Sequence, residues 1–214
     1  MELYFSPLAC SMATRIALYE AGAEAGYIQT DVRTKRLPDG SSFLDVSPLG
    51  QVPALRLDTG EVLLENQAIL QHVADRYPDA GLAPPPGRER SLLQQWLSFI
   101  GTELHKLVFA PILDQHAAPE VKAYARDKAA SRFAVVDHHL EGRAFLLDRF
   151  TVADAYLVTV LNWNAAIGID LSPYPALQAY LGRMHEHPSV ARAVAEERAL
   201  YAEGQARRAA ARAS

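Results

Sequence analysis

Gln51-Val52-Pro53-Ala54-Leu55-Arg56-Leu57-Asp58-Thr59-Gly60-Glu61-Val62-Leu63-Leu64-Glu65-Asn66 reads as two short strands, a tight turn and a helix start. Residues 53–57 and 62–64 are mostly apolar, and Asp58-Thr59-Gly60 between them has the chemistry of a hairpin turn. Asn66 stands where an N-cap belongs, ahead of Ile69, Leu70, Val73 and Tyr77 at helical spacing. Upstream, Leu3-Tyr4-Phe5 is a strand stopped by Ser6-Pro7. Residues 11–21 carry Met12, Ile16 and Tyr19 at helical spacing, with Gly22 as the stop. Residues 27–31 form a further strand, and the polar stretch around Lys35, Arg36 and Pro38-Asp39-Gly40 reads as a loop. The order is β-α-β, then β-β-α. The first half needs a right-handed crossover between parallel strands, and the second adds a hairpin, so a mixed sheet with helices on its faces is expected.

Downstream, Ala83-Pro84-Pro85-Pro86-Gly87 is a linker, because consecutive prolines cannot continue a helix. After it the pattern is helical. Residues 88–115 are amphipathic through Leu93, Trp96, Leu97, Ile100, Leu104, Leu107 and Val108. Residues 120–140, 175–187 and 189–201 read as helices, and Thr151-Val152-Ala153-Asp154 is a capping-box start to another. The expected organisation is an α/β domain over residues 1–81, a linker over 82–87, an all-helical domain over 88–203, and a disordered Ala/Arg-rich tail over 204–214.

Composition narrows the class. Of 214 residues, half are hydrophobic and 21% are charged, as in a globular chain. One cysteine, Cys10, permits no intrachain disulfide and fits a reducing, cytoplasmic setting. The formal charge of −4 argues against general nucleic-acid binding. No apolar run is long enough to span a membrane. No Cys-rich or His/Asp/Glu grouping has metal-ligand spacing, so no metal is expected. No Gly-rich phosphate loop or nucleophile elbow is present.

A few positions can carry chemistry. Cys10 opens the first helix, where the positive dipole end lowers a thiol pKa, although a buried structural cysteine is the alternative. With Ala13 where a second cysteine would make a redox pair, Cys10 can react only with an outside thiol, forming a mixed disulfide. Val52-Pro53 precedes a strand: an ordinary trans bond is one reading, and a cis bond, turning the Val52 amide groups toward an extended ligand, is the other. Glu65-Asn66 offers a carboxylate beside a helix N-terminus, which suits an amino acid zwitterion as well as plain capping. His105 and Lys106 lie in the long helix, where a lone histidine is commonly structural.

The order of these features resembles the cytosolic glutathione transferases, and among them the bacterial beta class. The resemblance is carried by Ser6-Pro7-Leu8-Ala9-Cys10-Ser11, Ser47-Pro48-Leu49-Gly50-Gln51-Val52-Pro53-Ala54-Leu55, Glu65 with Ala68-Ile69, Thr102-Glu103-Leu104-His105-Lys106 and Arg149-Phe150-Thr151-Val152-Ala153-Asp154-Ala155-Tyr156. It implies a thioredoxin-like domain holding glutathione as co-substrate, and a helical domain with a pocket for a small hydrophobic electrophile, near Phe109, Pro111 and Trp163. On that resemblance Cys10 and His105 are the catalytic residues. Lys35, Gln51, Val52, Pro53, Glu65, Asn66 and Lys106 bind glutathione, with Pro53 cis and Lys35 meeting the glycyl carboxylate. Ser98 and Glu103 match positions that contact the second subunit of a homodimer. The implied activity is conjugation of glutathione to electrophiles in detoxification. Thiol–disulfide or peroxide reduction through Cys10 and non-catalytic ligand binding are the alternatives. Three positions depart from the family pattern: Asn66 replaces Ser or Gly, Ser98 replaces Asn, and Phe5 replaces Tyr. Thr151 and Asp154 are assigned to folding.

Overall fold

The computed structural model describes residues 1–213 and divides into two compact units. One comprises Met1–Ala80 and the chain from Pro188 onward; the other is Gly81–His187. The first holds β1 (Glu2–Phe5), α1 (Ser11–Glu20), β2 (Gly26–Gln29), β3 (Ala54–Arg56), β4 (Val62–Leu64) and α2 (Asn66–Arg76). The strands lie in the order β2-β1-β3-β4, with β1 parallel to β2 and antiparallel to β3, and β3 antiparallel to β4. This is the mixed four-stranded sheet expected of a thioredoxin-like domain.

Strand alternation assigns the two sheet faces. Tyr4 pairs with Ile28 and Ala54, and Ala54 with Leu64, so these side chains share a face. That face is covered by the loop after β2, whose short helical turn Phe43–Asp45 inserts Phe43 against Tyr4 with ring centroids 5.9 Å apart. Phe43 is fully buried, so the polar loop of the sequence contains a core residue. Leu3 and Leu55 point to the opposite face and are also fully buried. The turn between β3 and β4 closes through Gly60, whose φ of +87° is one that side-chain-bearing residues avoid.

The last helix, α9 (Pro188–Ala213), belongs to this first unit and packs on α1. Both points differ from the sequence-based boundaries, which kept the helical domain running to residue 203 and made 204–214 disordered. Alanine and arginine are strong helix formers, which favours helix through residue 213; Ser214 lies outside the described residues. α9 buries Val190, Ala193 and Val194, and it also makes polar ties to α1. Arg15, on α1, lies between the rings of Phe5 and Tyr27, with its guanidinium carbon 4.1 and 4.4 Å from their centroids. It meets Glu196 at 3.2 Å and Glu197 at 3.0 Å, both on α9.

The second unit is helical: α3 (Arg88–Phe99), a π-helical segment (Ile100–Phe109), α4 (Ala110–Leu113), α5 (Pro119–Leu140), α6 (Val152–Asn162), α7 (Asn164–Ile167) and α8 (Pro175–Glu186). α6 is its centre, with every residue from Val152 to Leu161 buried. Its start is the capping box read from the sequence: the Thr151 N–H donates to Asp154 Oδ2 at 2.9 Å. The Thr151 hydroxyl donates to the same oxygen at 3.0 Å. Asp154 Oδ1 accepts from the Leu146 N–H at 2.9 Å and the Tyr180 hydroxyl at 3.1 Å. Burial pushes this carboxyl up to about 6 while all four donors pull it down. The linker is tied to the same corner, with Val152 N–H donating to Leu82 O and Arg149 Nε to Gly81 O.

Asp154→Ala strands four donors in the core. It should lower stability by about 3 kcal/mol or more in urea-unfolding experiments. A loss below about 1 kcal/mol would show that α6 does not depend on this cap.

Candidate active site

Cys10 is the residue that caps the N-terminus of α1, as its sequence position implied. Its thiol donates to the Val52 carbonyl at 3.0 Å across a sequence separation of 42 residues. Val52-Pro53 is a cis peptide bond. The Cys10 carbonyl accepts from Asn66 Nδ2 at 3.1 Å, and Asn66 Oδ1 accepts from the Thr14 hydroxyl at 3.0 Å. Cys10, Val52 and Asn66 therefore form one hydrogen-bonded cluster joining α1, the start of β3 and the start of α2. The Asn66 side chain is buried, with one Nδ2 hydrogen and its Oδ1 engaged on α1. Beside it α2 presents its helix N-terminus.

Glu65 precedes α2 with φ of 67° and ψ of 118°, a conformation strained for a residue with a side chain. Its side chain is exposed. Strain of this kind persists where the surroundings impose it, and it gathers at binding sites. Gln51 is exposed, and its N–H and carbonyl are both held by the Ser47 hydroxyl, at 3.2 and 3.0 Å. Lys35 also has a positive φ, 57°, and its ammonium donates to the Gly50 carbonyl at 2.7 Å. Gly50 has φ of +58°, which side-chain-bearing residues avoid, and its lack of a Cβ lets Lys35 Cδ lie against it. The lysine expected at a ligand carboxylate is thus anchored beside Gln51.

His105, Lys106, Glu103 and Ser98 lie in the helical unit, the first three on the π-helical segment. The sequence reads as one continuous amphipathic helix through this region; the wider turn shows in the Ala110 N–H, which donates to the His105 carbonyl five residues back. π-segments are rare and frequently mark functional sites. His105 Nδ1 shares a 2.7 Å hydrogen bond with the Tyr156 hydroxyl, and its ring packs edge-on against Trp163 at 4.9 Å. Phe109 meets Trp163 at 5.9 Å. Burial, reinforced by neighbouring Lys106, pulls His105 down to about 4, so the imidazole is neutral at physiological pH. It can act as a hydrogen-bonding group and not as a cation. Glu103 Oε2 accepts from Arg132 Nε and Nη2 at 3.0 and 2.8 Å. Lys106 and Ser98 are exposed. Arg132, which fixes Glu103, carried no sequence signal beyond a lone charge, and Tyr156, which fixes His105, entered only as the last residue of the capping-box segment.

Among the described residues no group of three or more His, Cys, Asp or Glu side chains is placed to hold a metal, and no helix is long and apolar enough to cross a membrane.

Known proteins resolve the class. Residues 1–75 match the glutathione S-transferase N-terminal domain family, and residues 102–188 match the C-terminal domain family. The chain is 39% identical over 199 residues to "Glutathione S-transferase GstA" of Escherichia coli O157:H7, covering 92% of this chain and 98% of that one. The chain belongs to the glutathione S-transferase family. Within it the likeness is to the bacterial beta class. A solved "Bacterial beta class Sphingomonas chungbukensis Glutathione S-transferase" superposes with a TM-score of 0.87 at 44% identity, over 92% of this chain and 98% of that one. A "Ternary complex of BphK, a bacterial GST" gives a TM-score of 0.89 at 45% identity, over 92% and 99%.

The depressed His105 pKa has a signed consequence. Between pH 6.5 and about 4 the unfolded chain takes up a proton that the folded chain refuses, so this group's contribution to stability is lost as pH falls through that window. His105→Phe should remove it. The stability difference between about pH 7 and about pH 5, measured by urea unfolding, should shrink by about 1–2 kcal/mol relative to the parent chain. An unchanged difference would show that His105 titrates normally.

Proposed function

We propose that this chain binds glutathione on its sheet domain and transfers it to hydrophobic electrophiles, working as a cytoplasmic homodimer. The observation that carries the reading is the Cys10 thiol held 3.0 Å from the Val52 carbonyl beside cis Pro53, at the N-terminus of α1. A solved relative titled as a sphingomonad glutathione S-transferase complexed with glutathione is 43% identical over 92% of this chain, which supports the choice of ligand.

In this reading glutathione lies extended along the edge made by Gln51, Val52 and Pro53, and Val52 pairs with its backbone. Its γ-glutamyl end meets the N-terminus of α2 and the Glu65 carboxylate, a matched pair for a carboxylate and an ammonium. Lys35, anchored at Gly50, supplies positive charge toward the glycyl carboxylate. The sulfur comes to the start of α1, where the helix dipole and Cys10 favour the thiolate. An ordinary thiol titrates near ~8.5, so lowering it by about two units raises the thiolate fraction at neutral pH more than tenfold. Neutral His105, with Lys106, Tyr156 and Trp163, borders the apolar pocket for the electrophile. Ser98 and Glu103 are the positions proposed to meet the second subunit.

A thiol at this position also favours a second chemistry. The Cys10 thiolate attacks the glutathionyl sulfur of a substrate mixed disulfide RS–SG, forming a Cys10–glutathione disulfide and releasing the substrate thiolate RS⁻. A glutathione thiolate then attacks that disulfide, releasing the Cys10 thiolate and oxidised glutathione, so RS–SG is reduced at the expense of glutathione without a second cysteine.

Intact-protein mass measurement after incubation with oxidised glutathione separates the two. A single adduct, removed by dithiothreitol and absent in Cys10→Ala, is expected. Cys10→Ala should keep conjugation of an aryl chloride within about tenfold, because the α1 N-terminus remains. Failure of the parent chain to be retained on immobilised glutathione would overturn the reading. Glu65→Ala should raise the KM for glutathione by about tenfold or more, the loss of a charge-assisted contact, with a smaller change in kcat.

A further inference from the structure

Glu197 is an odd residue for a helix–helix contact. Its side chain is fully buried between α9 and α1, where an apolar residue would serve packing without desolvating a charge. Arg15 Nε lies 3.0 Å from Oε1 without hydrogen-bond alignment, so that contact is charge against charge. Burial pushes Glu197 up, to about 7, and adjacent Glu196 adds to this, while Arg15 and the Leu8 N–H oppose it. The hydrogen bond the carboxylate does make is from the Leu8 N–H to Oε2, at 2.6 Å across 189 residues of sequence.

Leu8 sits in the turn that delivers Cys10. The Ser6 carbonyl accepts from the Ala9 N–H at 3.0 Å, with Pro7 second and Leu8 third in the turn. Leu8 has φ of 62°. Proline followed by a positive φ is the type II arrangement, whose third position ordinarily needs glycine. Type I and type II turns differ by a flip of the central peptide, here Pro7–Leu8, and the Leu8 N–H direction is what the flip reverses. A leucine by its own preference would take the type I form. Glu197 Oε2 holds the N–H that selects the other.

We infer that Glu197 is a positioning residue for Cys10: its carboxylate holds the strained Ser6–Ala9 turn in the flipped form and so sets where the thiol stands against the Val52 carbonyl and the α1 amides. The kinetic consequence rests on the proposed placement of the glutathione sulfur beside Cys10; the reactivity of Cys10 in the free enzyme does not.

Three substitutions separate reach from charge. Glu197→Asp keeps the charge for Arg15 but withdraws the oxygen from Leu8. Glu197→Gln keeps an acceptor in reach but drops the charge. Leu8→Gly removes the strain, so the turn no longer needs holding. The readout is the rate of Cys10 alkylation by iodoacetamide in folded, ligand-free enzyme, with the KM for glutathione alongside. Glu197→Asp should change the alkylation rate by about fivefold or more, and Glu197→Gln by less than about twofold. Adding Leu8→Gly to Glu197→Asp should restore the parent rate to within about twofold, and the KM should follow the same pattern. A role confined to the Arg15 ion pair gives the reverse, Gln disturbed and Asp unaffected, and overturns the proposal. So does an Asp effect that Leu8→Gly leaves unchanged. If Glu197→Asp does not fold, Glu197→Gln decides: a change beyond about threefold overturns the proposal, and a parent-like rate supports it. If alkylation follows the expected pattern while no variant binds glutathione differently, positioning stands and the placement of the glutathione sulfur falls.

Discussion

The antiparallel pairing of β1 with β3 is the constraint from which the site follows. Tyr4 stands opposite Ala54, so the end of β1 and the beginning of β3 emerge at the same end of the sheet. The chain leaving β1 turns through Ser6–Ala9 into α1, and the chain entering β3 arrives through Val52-Pro53. A one-residue slip of β1 against β3 would turn over one strand's side chains, taking Tyr4 away from Phe43 or bringing Leu55 to the face that Phe43 covers. The core thus fixes the register, and the register places Cys10 against Val52. Asn66 then closes the same corner by bonding the Cys10 carbonyl, so the starts of α1, β3 and α2 cannot move independently.

Buried polar groups do the remaining fixing, and they do it differently. Asp154 is satisfied by four donors and holds the start of a wholly buried helix, so its role is completed within the fold. Asn66 is satisfied on both sides and links two helices. Glu197 is buried with one of its oxygens lacking a hydrogen bond, and its bond goes to the strained turn before Cys10. An incompletely satisfied buried carboxylate is costly to the fold. Strained backbone at Leu8, Lys35 and Glu65 falls in the same unit, and all three belong to segments that shape the proposed glutathione site.

Family membership and fold class were readable from residue order: strand, helix-opening cysteine, X-Pro strand start, Glu-Asn helix start, proline linker, capping box. These are local signals, each with its own short-range cause in turn chemistry, helix capping or apolar period. They survive into the structure because neighbours along the chain decide them. The Thr151–Asp154 box forms as read, while Cys10 and Val52, singled out as ligand contacts, here bond to each other.

Contacts between distant segments were beyond such reading. Nothing in a charged run on the last helix says that Glu197 will be buried or will meet Leu8, because burial is set by which faces pack together. The amide of Asn66 had several chemically reasonable partners, and packing chose Thr14 and the Cys10 carbonyl. The π-segment leaves the apolar period almost unchanged, so His105 looked like any helix histidine until Tyr156 and Trp163 closed around it and stripped it of charge. Short-range chemistry chose the elements of this protein, and long-range burial chose which of their polar groups would be neutral, strained or held.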